Sequence, residues 1–472
     1  MLTKQADQLK QHITLQPHQV TFKDKLSRTD ALLAYHGLGS GKTLSSIAST
    51  VGLKADVVVP ASLRENYKKE VGKFIDGENR RNIVSYEQAT KGQVQYARGP
   101  GTALVIDEVQ RLGNAGSKRS QILRELAPSY EKRILLSGTP ASNHPSELAP
   151  ILRMLNPDAK DIPLNPVEFN DKFIDTKAVK PSLWQRLRGM KPGETHSIKN
   201  IEDFKRNIDG KVHYYATGQD QFPSRTNELH QIEMSPEQLR IYAGVTGTAN
   251  PDLARKVRSG LPPSKQEASQ LNAFMGAARQ VSNTTIPYGG KEALSPKLKD
   301  LAGRLIGDPQ GRHVVYSNYL GAGLDSIEGE LKNKGIGYGS FTGKMNDKEK
   351  KRAVEDFNSG ASNILLLSSA GAEGIDLKGT RNIHLLEPHW NQNKLEQVVG
   401  RGIRFGSHSH LPEAERKVTV HKYQSVMPHT LMQRALHQPR PTSADTYLDD
   451  LAENKQGLLN QFLNVLKEEG QK

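Results

Sequence analysis

The feature that most limits the fold of this chain is a repeated alternation of short apolar runs with helical segments. The first series of predicted strands covers residues 31–36, 55–60, 82–86, 102–108 and 132–138. A second series covers residues 312–317, 338–343, 363–369, 382–388 and 417–423. Strands that alternate with helices favour parallel sheets with helices on both faces. The sequence therefore predicts an α/β protein with two doubly wound parallel-sheet domains.

The alternation is lost between the two series, where Pro, Gly and basic residues accompany scattered amphipathic pieces. We predict a mostly helical insertion there. The expected division of the chain is a first domain at residues 1–150, the insertion at 151–290, a second domain at 291–430 and a helical tail at 431–472.

The tail combines a helix-start signal with an apolar stripe. Ser443 is a favourable N-cap residue. The stripe at helical spacing consists of Leu448, Leu451, Leu458, Leu459, Phe462, Leu463 and Leu466. We expect this helix to pack against the second domain, and the alternative is a helix that binds a partner.

Composition excludes several classes of protein. The 472 residues include no Cys, which excludes disulfides, zinc fingers, iron–sulfur clusters and thiol catalysis. No apolar run approaches the ~20 residues of a membrane span, and the N-terminus lacks the apolar core of a secretory signal. The net charge of +14 indicates a polyanionic partner such as nucleic acid, although a basic surface can also simply aid solubility. A cytoplasmic location, or the host cytoplasm for a viral protein, fits these features.

A glycine-rich segment directly follows the first predicted strand and precedes a helix. A turn of this kind directs backbone N–H groups and a helix N-terminus toward an anion, which predicts a phosphate-binding loop. Lys42 would reach the β- and γ-phosphates, and the Thr43 hydroxyl would bind Mg²⁺. His36 occupies the position where the strict motif has its first glycine, and we interpret it as a packing residue. The loop residues are Gly37, Leu38, Gly39, Ser40 and Gly41.

An acidic pair ends the fourth strand of the first series. Asp107 and Glu108 would lie at the carboxyl end of that strand, where ligands bind in sheets of this kind. Asp107 would hold Mg²⁺, and Glu108 would orient and deprotonate an attacking water. An acidic pair at a strand end is also a common solvated turn, and its position downstream of a phosphate loop favours the site.

Together these segments resemble the motifs of superfamily 2 helicases and translocases, in the family's order. VVVPASL (57–63), VSYEQ (84–88) and SGTPASN (137–143) resemble motifs Ia, Ib and III. SSAGAEGIDLKG (368–379) resembles motif V, and QVVGRGIR (397–404) matches the Q-x-x-G-R-x-x-R pattern of motif VI. The matches span roughly residues 15–425.

Looser patterns favour the Swi/Snf-like branch and, within it, a similarity to the nucleoside triphosphatase I group of large DNA viruses and their phage relatives. These patterns are FPSRTNELHQIEMSPEQLRIY (222–242), AARQVSN (277–283), SPKL (295–298), GRGIRFGSHSHLPEAERKVTVHKY (400–423) and SADTYL (443–448).

The resemblance implies two RecA-like domains that use ATP and Mg²⁺. Gln19 occupies the position of the family's adenine-contacting glutamine. Arg404 is expected to be the arginine finger, with Arg401 as a second contact in the same motif as Gln397. Gly374 and Asp376 of motif V would couple the ATP site to the nucleic acid.

The resemblance also implies contacts to a nucleic-acid backbone. The expected contact residues are Pro60, Ala61, Ser85, Tyr86, Ser317, Thr342, Gly343 and Ser369. A basic cluster in the insertion would either add grip or form a solvated surface. It consists of Lys177, Lys180, Trp184, Arg186, Arg188, Lys191, Arg255, Lys256 and Arg258.

The leading hypothesis is an ATPase motor that moves along DNA, with double-stranded DNA favoured. The alternatives are a strand-separating DNA or RNA helicase and, from another class, a non-hydrolysing accessory subunit of a transcription or packaging machine. Replication or transcription proteins are further candidate partners, and a monomer is the default state.

Overall fold

The computed structural model describes residues 8–37, 39–179, 193–216, 222–247, 268–369, 375–404, 406–435 and 440–472. They form two compact units. Unit 1 comprises Met1–Lys177, His196–Thr217 and Lys455–Lys472, and unit 2 comprises Ala178–Thr195 and Gly218–Asn454. Within the described ranges, no helix combines the length and the apolar character that crossing a membrane requires.

Unit 1 is built on a six-stranded sheet in which every pairing is parallel, with the strand order β10-β2-β7-β6-β3-β5. The central strands are buried on both faces, as expected for a sheet covered by helices on each side. The strands of the sheet are β2 (Ala31–His36), β3 (Lys54–Val59), β5 (Arg81–Ser85), β6 (Thr102–Asp107), β7 (Lys132–Ser137) and β10 (Val212–Tyr215).

Helices cover both faces of this sheet, and short strands supplement it. The helices are α1 (Pro17–Ser27), α2 (Lys42–Ser49), α3 (Arg64–Phe74), α4 (Tyr86–Thr90), α5 (Lys118–Leu126), α6 (Ala149–Leu155), α7 (Pro166–Phe173) and α8 (Ile201–Arg206). The strands β1 (Gln8–Leu9) and β4 (Ile75–Asp76) pair with each other, as do β8 (Ile174–Val179) and β9 (Gly193–Ile198).

Unit 2 repeats the architecture with a second six-stranded, all-parallel sheet, in the order β11-β16-β15-β12-β14-β13. Its strands are β11 (Ser224–Glu233), β12 (His313–Ser317), β13 (Gly339–Phe341), β14 (Ile364–Ser368), β15 (Asn382–Leu385) and β16 (Lys417–Val426). Its helices are α9 (Pro236–Gly247), α10 (Ala268–Val281), α11 (Pro296–Gly307), α12 (Asp325–Asn333), α13 (Asp347–Ser359), α14 (Gln392–Gly402) and α15 (Leu431–Ala435).

The two sheets confirm the predicted fold class of two doubly wound, RecA-like parallel-sheet domains. All ten strands that the alternation predicts are present. The outermost strands β10 and β11 were missed, and both come from the stretch predicted to be a mostly helical insertion. The four-part division of the chain stays a prediction, since the described part of residues 151–290 contributes a strand to the sheet of each unit.

The C-terminal helix α16 (Ala444–Gln471) begins where the N-cap signal predicts, because the backbone N–H of Thr446 donates to Ser443 Oγ at 3.2 Å. Its first turns, with Tyr447 and Leu448, pack into the core of unit 2. The expectation that the whole tail packs against the second domain is wrong. Leu459, Phe462 and their neighbours belong to the core of unit 1, where Phe462 packs against Phe204 with ring centroids 5.3 Å apart.

Candidate ATP site and motif VI region

The phosphate loop takes the conformation that its glycines allow. Gly39 and Gly41 have φ values of 72° and 74°, a backbone region that disfavours side chains. A Cβ on Gly41 would also lie 2.7 Å from Gln19 Nε2. The backbone conformation therefore favours glycine at this position, and a side chain there would also displace the Gln19 amide.

Lys42 folds back onto the loop that precedes it. Its amine donates to the carbonyl oxygens of His36 and Gly37 at 3.1 and 3.0 Å. Burial lowers the pKa of Lys42, and the Glu108 and Asp107 carboxylates act in the opposite direction. The amine thus lies within the electrostatic reach of both motif II carboxylates.

Two residues of α1 support the loop from the other side. Gln19 is buried, donates from Nε2 to the Gly41 carbonyl at 3.3 Å, and accepts at Oε1 from the Gln16 backbone N–H at 2.9 Å. His18 donates to the Ser40 carbonyl at 2.8 Å and stacks on Tyr215, with ring centroids 3.7 Å apart. Gln19 therefore lies against the loop, and its contact with adenine stays a prediction. His18 and Tyr215 are neighbours that the sequence did not indicate.

His36 is fully buried and bonded to His213, with Nε2 and Nδ1 2.7 Å apart. Burial, with the neighbouring His213 as the next cause, strongly lowers the pKa of His36. This environment agrees with the interpretation of His36 as a packing residue.

The acidic pair lies at the carboxyl end of β6. Burial, and then the neighbouring Glu108, raise the pKa of Asp107 to about 7, while Lys42 lowers it. Glu108 has a left-handed backbone with a φ of 55°, and its N–H donates to Asp107 Oδ1 at 3.0 Å. Carboxylate oxygens are ligands that Mg²⁺ prefers, and a lysine amine is a cation that phosphate oxygens bind. The two carboxylates beside Lys42 therefore suit a triphosphate bound with Mg²⁺.

A chain of hydrogen bonds links Glu108 to motif III. Gln110 Nε2 donates to Glu108 Oε2, and Gln110 Oε1 accepts from the Ser137 hydroxyl at 2.7 Å. Ser137 Oγ in turn accepts from the backbone N–H of Thr139 at 3.0 Å. Gln110 therefore fixes the orientation of the candidate base, a role that the sequence analysis did not assign to it.

The motif VI residues lie in unit 2. Gln397 and Arg401 are partly buried and one helical turn apart on α14. Arg404 follows the helix, donates from Nε to the Gly400 carbonyl at 3.3 Å, and has Nη1 3.8 Å from Asp376 Oδ1. The structure thus brings motif VI together with Asp376 of motif V.

Several residues expected to contact nucleic acid are covered by protein. Tyr86 is buried, and its hydroxyl donates to the carbonyl oxygens of Asp107 and Glu108 at 2.6 and 3.1 Å. Ser317 is fully buried and donates to Glu387 Oε1 at 2.7 Å. Neither side chain reaches the surface, and the contacts of these two residues to a nucleic-acid backbone stay a prediction. Through these two hydrogen bonds Tyr86 supports the backbone of motif II.

The remaining predicted contacts divide by exposure. Ala61, Gly343 and Ser369 are exposed, whereas Pro60, Ser85 and Thr342 are buried. Ser85 instead caps α4 by accepting from the Gln88 backbone N–H. Among the other predicted site residues, Leu38 and Gly374 lie outside the described residues. The same holds for Lys180, Trp184, Arg186, Arg188, Lys191, Arg255, Lys256 and Arg258.

Two domain families match most of the chain. Residues 78–285 match the SNF2-related domain, and residues 297–406 match the helicase conserved C-terminal domain. The phosphate loop precedes the first matched range, and Arg401 and Arg404 fall inside the second.

The similar proteins include viral ones. A protein of Acanthamoeba polyphaga mimivirus, L538, described as an ATP-dependent RNA helicase, is 27% identical over 470 residues, covering 96% of this chain and 97% of its own length. A termination factor NPH-I homolog of African swine fever virus is 25% identical, covering 84% of this chain and 70% of its own.

Among solved structures, the chain is similar to the Sulfolobus solfataricus SWI2/SNF2 ATPase core in complex with double-stranded DNA. The identity is 18%, the coverage is 97% of each chain, and the TM-score is 0.36.

Proposed function

Because this chain joins an SNF2-related domain to a helicase conserved C-terminal domain, it belongs to the SNF2-related helicases and translocases, and we propose that it hydrolyses ATP to move along double-stranded DNA. The observation that carries the hydrolytic part is the bonded path from Glu108 through Gln110 to Ser137, next to Lys42. This path orients the Glu108 carboxylate, which supports its proposed role as general base. An accessory subunit that does not hydrolyse ATP would have no need for it.

The residues of unit 1 divide the work of hydrolysis. The Lys42 amine would exchange the carbonyl oxygens of His36 and Gly37 for phosphate oxygens. Thr43 and Asp107 would hold Mg²⁺, which neutralises charge on the phosphates when it is bound. Glu108 would accept the proton of the attacking water, while Gln110 keeps its carboxylate in place.

In unit 2, Arg404 and Arg401 are the proposed cations that act on the transferring phosphoryl group. An arginine finger contributes about 10³–10⁵ to the hydrolysis rate. Arg404 is held by Gly400 and Asp376, so that it is pre-oriented within its own unit. Gln397, on the same helix, completes the proposed set.

The proposal of duplex DNA rests on charge and composition. A net charge of +14 suits contacts to a phosphate backbone, and an aromatic content of 6% gives few platforms for stacking unpaired bases. RNA is the second candidate substrate, since the mimivirus relative is described as an RNA helicase. We propose the cytoplasm, or the host cytoplasm for a viral protein, as the site of action.

The test is phosphate release by the full chain with duplex DNA, single-stranded DNA or RNA, beside a triplex-displacement and a forked-duplex unwinding assay. We expect duplex DNA to stimulate most, with triplex displacement and weak unwinding. Glu108→Gln, which keeps the shape and removes the base, serves as the inactive control. Stimulation by single strands alone, together with efficient unwinding, would contradict duplex tracking.

A further inference from the structure

One face of the unit 2 sheet carries four histidines side by side, on β12, β15, β16 and β11. The ring centroids of His313 and His384 are 5.2 Å apart, those of His384 and His421 are 4.6 Å apart, and those of His421 and His230 are 5.2 Å apart. The row follows from strand register, because His384 pairs with His421. At the edge strand the row ends next to a carboxylate, since Glu228 pairs with His421 and shares a face with His230.

Three donor atoms at this end form a small triangle. His230 Nε2 lies 3.0 Å from His421 Nδ1 and 3.5 Å from Glu228 Oε2, and His421 Nδ1 lies 3.2 Å from the same oxygen. Ligands at about 2.0–2.1 Å around a tetrahedral Zn²⁺ ion are about 3.3–3.4 Å apart. Among the residues that the structure describes, this is the one group of three such side chains whose donor atoms lie this close.

We propose that Glu228, His230 and His421 bind one Zn²⁺ ion, with a fourth coordination position open to water. Two imidazoles and one carboxylate are a donor set that zinc accepts. Glu228 is half-exposed, with 47% of its side chain accessible, which gives an ion a path to the two less exposed histidines. The site lies on β11 and β16 of unit 2, whereas the phosphate loop belongs to unit 1.

The hydrogen-bond partner of one histidine is compatible with metal coordination, and that of the other must move. His421 Nε2 lies 3.1 Å from Asn382 Oδ1, so a ring that binds metal through Nδ1 can donate its remaining N–H to that oxygen. On the other ring, Arg304 Nη2 donates to His230 Nδ1 at 3.2 Å, and coordination through Nε2 would place a proton on Nδ1. Arg304 must therefore release His230 when the ion binds, and its Nε bond to Asp300, at 2.9 Å, can retain it.

A bound ion would join two strands that are distant in sequence. His230 and His421 are 191 residues apart in the chain, and β11 exposes most of its residues. An edge strand with little apolar burial depends mainly on its backbone ladder. Zinc would add a cross-link between β11 and β16 and would raise the melting temperature of unit 2.

The experiment uses the full chain without a polyhistidine tag, treated with chelator and free of nucleotide. Co²⁺ is titrated while the visible spectrum is recorded, because tetrahedral and octahedral coordination give different bands, and Zn²⁺ then displaces it. We expect one tetrahedral ion per chain and a Zn²⁺ Kd of about 1 µM or below.

Glu228→Gln and His230→Gln, both on the edge strand, should each weaken binding by more than about tenfold. His410→Gln, an exposed histidine in the same unit, is the matched control and should bind as the wild type does. Arg304→Gln should tighten binding, since an amide oxygen can accept the proton of His230 Nδ1. Circular dichroism checks that each variant is folded. Lack of the tetrahedral bands in the wild type, or unchanged binding in both edge-strand variants, overturns the proposal.

Discussion

At the residue scale, the ATP site depends on a few polar side chains whose environments differ. Asp107 has a raised pKa because it is buried and lies next to Glu108, while Lys42 is desolvated yet near both carboxylates. Glu108 is oriented by Gln110. Each environment has a consequence that can be measured in solution.

The raised pKa of Asp107 predicts proton release on metal binding. With a pKa of about 7, a substantial fraction of Asp107 is protonated at neutral pH, and Mg²⁺ binds the ionised carboxylate. The affinity for Mg²⁺ in the presence of ADP should therefore fall as the pH drops below 7 and level off above about pH 8. Calorimetry in two buffers of different ionisation enthalpy measures the released protons, and Asp107→Asn should release fewer than the wild type. Equal proton release by that variant would assign the proton to another group.

Gln110→Ala should lower kcat more than it changes ATP affinity. The general base itself contributes about 10²–10⁴, and loss of its orientation should cost part of this, about tenfold to a hundredfold. The measurement is steady-state kcat beside nucleotide affinity, with Glu108→Gln as the reference for complete loss of the base. A kcat within twofold of the wild type would show that Glu108 needs no support from Gln110.

At the scale of elements, unit 2 is joined internally by a buried ion pair between distant helices. Lys297 at the start of α11 and Asp445 at the start of α16 are both fully buried, with Nζ and Oδ2 3.1 Å apart. The same carboxylate accepts from the Ser425 backbone N–H at 2.9 Å. Two of the loosely patterned stretches, SPKL and SADTYL, therefore meet in three dimensions.

Lys297→Met should destabilise unit 2 by about 3–5 kcal/mol, because it leaves the Asp445 carboxylate buried without its cation. Adding Asp445→Asn should recover much of that loss, since the amide carries no charge and its oxygen can still accept from the Ser425 N–H. Hydrogen exchange over residues 296–307 reports on unit 2 separately from unit 1. A double variant as unstable as the single one would mean that the packing of these side chains, and not charge, is what matters.

At the scale of the whole molecule, the core of unit 1 combines segments that are far apart in the sequence. Residues 455–472 belong to unit 1, where Phe462 is fully buried and packs against Phe169 and Phe204. Helix α16 therefore supplies part of the hydrophobic core of unit 1.

Phe462→Ala should cost unit 1 about 3–5 kcal/mol through the cavity it leaves. The exposed Glu468→Ala on the same helix is the matched control and should have little effect. Thermal unfolding, followed by hydrogen exchange over residues 166–173, measures the loss. Unchanged exchange there would contradict a structural role of the tail in unit 1.

The ten strands of the alternation, the glycine-rich loop, the acidic pair and the N-cap at Ser443 could be predicted from the sequence, because each is marked by a pattern of residue types within a short stretch of chain. No local pattern marked the outer strands β10 and β11, the burial of Tyr86 and Ser317, the link from Gln110 to Ser137 or the histidine row. Those features join residues far apart in sequence. β11 in particular has no apolar alternation, since most of its side chains are exposed and its pairing is made by backbone groups, which every residue carries.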